Sequence, residues 1–119
     1  MTARKFGGMT QEHARAFALS LPEAREQSHM GRPDFRVRNK IFLTLPPDVA
    51  IVNLKSSSTN LAALVASDPE TYRDVWGGRW VSVKLARVEA QLLRSLIVDA
   101  WCRAAPHALS RKLACRLGA

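Results

Sequence analysis

Between Arg32 and Lys55 the chain reads RPDFRVRNKIFLTLPPDVAIVNLK, and no other stretch restricts the fold as much. Phe35 and Val37 alternate with Arg36 and Arg38, and apolar runs from Ile41 to Leu45 and from Val49 to Leu54 follow, separated by turn-forming residues. A two-residue period places successive side chains on opposite faces of a strand. The links around Arg38-Asn39-Lys40 and Pro46-Pro47-Asp48 are too short for a crossover helix, so the stretch predicts a three-stranded antiparallel meander. One face is apolar and must be covered. The other face and the turns carry Arg36, Arg38 and Lys40.

A second hairpin is predicted from Thr71 to Trp76 and from Trp80 to Leu85, because Gly77-Gly78 supplies the positive φ angles of a tight turn. Val81, Val83 and Leu85 alternate there with Trp80, Ser82 and Lys84. This puts Arg79 and Trp80 at a loop tip. A tryptophan at a strand start is expected to pack on a neighbouring helix, although beside arginine it is also able to stack on a base or sugar. Helical spacing marks three further segments. Thr10 is an N-cap for a helix with the stripe Ala14, Phe17, Ala18 and Leu21, ended by Pro22 and followed by a mixed-charge connection at Glu23, Arg25 and Glu26, with Gly31 and Pro33 marking a bend into the meander. The run Ser56 to Thr59 caps a short helix carrying Leu61, Leu64 and Val65, closed by Asp68-Pro69. From about Val88 to Ala105, Leu92, Leu93, Leu96, Ile97, Ala100, Trp101 and Ala104 recur every three or four residues, as in a helix that covers a sheet. The elements add up to an α+β fold, an antiparallel sheet of about five strands backed by N- and C-terminal helices.

A chain of 119 residues is expected to form one domain, over residues 10–106, with a disordered stretch at 1–9 and a basic amphipathic extension at 107–119. In that extension Leu109, Leu113 and Leu117 fall on one side and Arg111, Lys112 and Arg116 on the other, and docking on the domain is expected rather than membrane binding. The N-terminal residues contain no apolar signal region, which predicts a cytoplasmic protein. Cys102 and Cys115 lack Cys-x-x-Cys spacing and are read as reduced thiols.

Charge narrows the function classes. Eighteen Lys and Arg stand against ten Asp and Glu, and the excess is concentrated in residues 32–55 and after residue 102. Such a surface favours polyanions without choosing among them. Catalysis is not expected, because the carboxylates and histidines are scattered. His13, with no second ligand-type residue four positions away, is read as a solvated histidine and His29 as a structural residue beside a strand, so neither metal nor cofactor is expected. The serine run lacks the glycines and lysine of a phosphate-binding loop.

The order of Leu19-Ser20-Leu21-Pro22, His29-Met30-Gly31-Arg32-Pro33-Asp34-Phe35-Arg36-Val37, Lys40-Ile41-Phe42, Asn53-Leu54-Lys55, Asp68-Pro69-Glu70-Thr71-Tyr72, Trp80-Val81 and Asp99-Ala100-Trp101 resembles the bacterial MmcQ/YjbR-like family from about Thr10 to Pro106. The resemblance implies a CyaY-like, or frataxin-like, fold and a DNA-binding role through a double wing of hairpins. Asn39 stands where many members have glycine, a change that asparagine tolerates because it also adopts positive φ. The frataxin relationship does not bring an iron site with it, since Glu12, Glu23 and Glu26 are spaced apart and interleaved with Arg15 and Arg25.

Taken as wings, the hairpins offer Arg36, Arg38, Lys40, Lys55, Arg79, Trp80 and Lys84 to double-stranded DNA. The expected binding is weak, salt-sensitive and largely independent of sequence, since phosphate contacts carry no base code. Two rival readings are a module that docks an acidic protein partner and a small-molecule pocket between sheet and helices lined by Trp76, Trp80 or His29. The chain is expected to be a monomer or weak dimer with no membrane partner.

Overall fold

Thr10 begins the first helix, α1 (Gln11–Leu19), as the sequence predicts: its hydroxyl accepts from the His13 amide at 3.1 Å. The His13 ring returns the contact, with Nδ1 3.5 Å from the Thr10 amide. His13 is exposed, and it also closes a capping box, a role its placement as a solvated side chain did not include.

The computed structural model describes residues 9–113 and 115 and shows an α+β fold. Six strands follow α1: β1 (Ala24–His29), β2 (Arg32–Val37), β3 (Lys40–Thr44), β4 (Ile51–Lys55), β5 (Tyr72–Val75) and β6 (Trp80–Lys84). Helix α2 (Ser58–Ser67) lies between β4 and β5, and α3 (Ala90–Ala104) and the short α4 (His107–Ser110) follow β6. A 3-10 turn over Arg111–Leu113 succeeds α4. The expectations for residues 1–8, and for Arg116 and Leu117 in the tail, fall outside the described residues.

All six strands join one sheet in the order β1-β2-β3-β4-β6-β5, and every neighbouring pair is antiparallel. The predicted meander is β2-β3-β4, and the predicted second hairpin is β5-β6. The sixth strand is a correction, because β1 occupies the segment read as a charged connection. Its sequence, AREQSH, has no apolar alternation to betray it, and it is an edge strand, where polar residues also discourage pairing with other chains. Met30 (φ 53°) and Gly31 (φ 79°) form the two-residue turn into β2, where the sequence predicted only a bend. Arg38 (φ 50°) and Asn39 (φ 69°) do the same between β2 and β3, so Asn39 adopts the positive φ expected of it.

Phe35, Val37, Leu43, Val52, Leu54, Val81 and Val83 fill one face of the sheet and are essentially inaccessible. The register shifts between Phe35 and Arg36, adding a residue to β3. Phe42 and Leu43 are consequently both buried, which strict alternation would forbid. Helices α1 and α3 pack on this face across β2, β3 and β4, and α3 contributes Leu93, Ile97, Ala100 and Trp101. Trp101, the largest buried side chain, donates its indole N–H to the Pro22 carbonyl at 3.0 Å, which fixes the chain where it leaves α1 for β1. Leu61 of α2 joins the same core.

Cys102 and Cys115 form a disulfide, which overturns their reading as reduced thiols. Their 13-residue separation spans α4 and the turn after it, and folding alone brings the two sulfurs together. With Leu109 buried and Leu113 packed against the core, this part of the extension docks on the domain as expected. No helix among the described residues is long and apolar enough to cross a membrane.

Candidate functional site

The strand register decides which predicted residues meet. Lys55 of β4 lies opposite Trp80 of β6, and the Ser56 amide donates to the Arg79 carbonyl at 2.9 Å. Lys40 begins β3, whose later residues Leu43 and Thr44 pair with Leu54 and Asn53. The β2–β3 turn and the β5–β6 loop (Trp76–Arg79) therefore sit at the same end of the sheet, on either side of the end of β4. Their centre lines are three strand spacings apart, roughly 14 Å at about 4.8 Å per strand. Helix α2 starts between them, with the Ser57 hydroxyl accepting from the Asn60 amide at 3.0 Å.

At this end Lys40 and Arg79 are exposed and Lys55 is half-buried, and none of the three forms an ion pair among the described residues. The Lys55 amine lies 5.6 Å from the Trp80 ring centroid. Trp80 alternates with the core residue Val81, so it points to the sheet face opposite the helices and does not pack on a helix as expected. It meets Trp76 instead, edge to face, with 5.6 Å between ring centroids. This placement also removes the two tryptophans from any pocket between sheet and helices.

Two predicted contacts are already committed within the fold. Arg36 donates Nε and Nη2 to the two carboxylate oxygens of Asp34 at 2.9 and 3.2 Å, and Nη1 to Asn39 Oδ1 at 3.2 Å. Asp34 is only 2% exposed, so the guanidinium compensates a buried charge, and hydrogen bonding to Asp34 holds Arg36 more firmly protonated. Arg38 grips Glu23 through Nε at 2.5 Å and Nη2 at 3.0 Å. The hydrogen bond from Arg38, aided by the positive charges of Arg38 itself, Lys112 and Arg25, holds the Glu23 carboxyl below its ordinary range. Lys84 is separated from the others. It lies opposite Ile51, four residues along β6 from Trp80, roughly 14 Å at about 3.4 Å per residue.

Arg25 was not singled out by the sequence, because its strand was read as a connection. It pairs with Arg36 across β1 and β2, and the two arginines with Glu23, Gln27, Arg38 and Asn39 line a shallow depression of about 280 Å³. A row of polar residues also crosses this face, Gln27, Asp34, Thr44, Asn53, Ser82 and Arg73, one from each strand. Near α1, Arg15 joins Glu26 at 2.7 Å and Glu12 at 3.3 Å, so those carboxylates are neutralised by a guanidinium. No group of three or more metal-ligating side chains occurs among the described residues.

A family model described as YjbR matches residues 19–103, more than half of the chain. The fold is similar to that in the crystal structure of a Deinococcus radiodurans protein, DR2400, described as having a DUF419 domain, with a TM-score of 0.76, 18% identity, and coverage of 94% of this chain and 93% of that one. No curated protein matches the chain significantly.

Proposed function

The chain belongs to the YjbR family, and from that premise we propose that it is a DNA-binding protein without catalytic activity, whose two hairpin tips hold the phosphate backbone weakly and with little regard for sequence. The observation that carries this reading is that Lys40, Lys55 and Arg79, none of them ion-paired among the described residues, lie at one end of the sheet, with Lys40 paired to Val37 on the helix-covered side and Lys55 paired to Trp80 on the other. Tips about 14 Å apart match the scale of a major groove, about 12 Å wide, and let each tip rest on one phosphate wall. The start of α2 between them adds the positive end of a helix dipole.

Arg36 and Arg38 support the tips through Asp34 and Glu23 and take a smaller part in binding than Lys40 and Arg79. Lys84 lies outside the contact. Duplex affinity measured over a salt series tests the reading. Lys40→Ala with Arg79→Ala is expected to reduce the slope of log K against log salt by about 0.9 for every phosphate no longer neutralised. An unchanged slope and affinity would overturn it.

A further inference from the structure

The loop between β5 and β6 holds a residue that the fold does not require. Trp76 is 59% exposed. Its φ of 55° lies in the left-handed region, which costs a residue with a Cβ about 1–2 kcal/mol. The two following positions, at φ 85° and 93°, are glycines, and glycine at 76 would remove both the strain and the exposed ring. An indole kept in solvent on a strained backbone is what a binding surface would present.

That surface is braced. Trp80, on β6 beneath Lys55, meets Trp76 at an interplanar angle of 73°. Asp74 Oδ1 accepts from the Gly78 amide at 2.9 Å and fixes the loop that carries the ring. Arg79 is exposed just beyond both glycines.

A fixed aromatic platform next to cations without carboxylate partners among the described residues suits an unpaired nucleotide, with its base on the ring and its phosphate on the amine or guanidinium. In an intact duplex the base faces are hidden by their neighbours, and exposing one costs a few kcal/mol. Building on the nucleic-acid reading above, we infer that the protein prefers single-stranded or locally opened DNA to intact duplex, with Trp76 stacking on an unpaired base while Lys55, Arg79 and Lys40 follow the backbone.

The test is a fluorescence and anisotropy titration of the full chain with a 12-nucleotide oligothymidine, a 12-base-pair duplex and poly-glutamate, at one salt concentration. Wild type is expected to bind oligothymidine more tightly than duplex, with quenching of tryptophan emission. Trp76→Ala is expected to weaken oligothymidine binding roughly 5- to 150-fold, the range for removing one base–aromatic stack, with duplex affinity retained. The ring is exposed, so the variant keeps its fold, checked by circular dichroism, and Trp76→Phe restores most of the affinity. Duplex affinity equal to or above that for oligothymidine, an unaffected Trp76→Ala, or equal binding of poly-glutamate would each overturn the inference. In the first two outcomes duplex binding survives and with it the broader reading. Failure to bind either nucleic acid overturns both.

Discussion

Arg38 and Glu23 form a two-point ion pair that ties the β2–β3 tip to the segment just before β1, with contacts of 2.5 and 3.0 Å. The pair diverts a wing arginine from external anions. Glu23→Gln is expected to release Arg38, raise duplex affinity and steepen the salt slope by up to about 0.9. If affinity and slope stay at wild-type values, Arg38 is not held in reserve by this carboxylate.

The same pair sets a pH dependence. Glu23 has a folded-state pKa below its ordinary value of 4.5, so its contribution to stability is present above that value and is lost as pH falls through the lower folded one. Thermal unfolding followed from pH 6 to pH 2 is expected to show a steeper acid loss for wild type than for Glu23→Gln. Parallel curves would remove Glu23 from the account.

Arg36→Ala and Arg38→Ala should differ in kind. The first leaves the carboxylate of Asp34, 3% exposed in its side chain, without its partner, whereas the second breaks a pair whose side chains are 54% and 46% exposed. Arg36→Ala is expected to lower the unfolding midpoint clearly and Arg38→Ala very little, as read by denaturant titration. Equal losses would mean that burial of Asp34 does not govern the outcome.

Closing a loop of this length with the Cys102–Cys115 disulfide is expected to contribute about 3 kcal/mol by restricting the unfolded chain. Cys115→Ser, or reduction of the wild type, should lower the unfolding free energy by about that amount. Disulfides persist in oxidising compartments, so a thiol count on freshly isolated protein also tests the cytoplasmic placement expected from the sequence. Two titratable thiols on denaturation without reductant would show that the bond does not form in the cell.

Asn53 donates to Thr44 Oγ1 at 3.1 Å, while its Oδ1 is buried without a hydrogen-bond partner among the described residues. A buried acceptor left unpaired costs about 1–3 kcal/mol, so Asn53→Val combined with Thr44→Val, which removes both partners together, is expected to stabilise the fold by about 1 kcal/mol. A destabilised double variant would show that the polar row crossing the sheet is satisfied by solvent.

What the sequence carried by itself is local. Apolar alternation and the Gly77-Gly78 turn marked five strands, three- and four-residue spacing marked the long helices, and Thr10 and the run Ser56 to Thr59 marked helix starts, because each signal depends on residues only a few positions apart. Strand β1 escaped, since AREQSH at a sheet edge needs little apolar surface and gains its ladder from β2. Tertiary structure decided which charges remain available. Arg36 and Arg38 look like Lys40 and Arg79 in the sequence, yet Asp34 and Glu23 hold the first pair while the others stand without ion-pair partners among the described residues. The order β4-β6-β5 set Lys55 beside Trp80 and both hairpin tips at one end, and it carried Lys84 away from them. Ion pairing and strand register join residues distant along the chain, so they are properties of the folded arrangement and of no single segment.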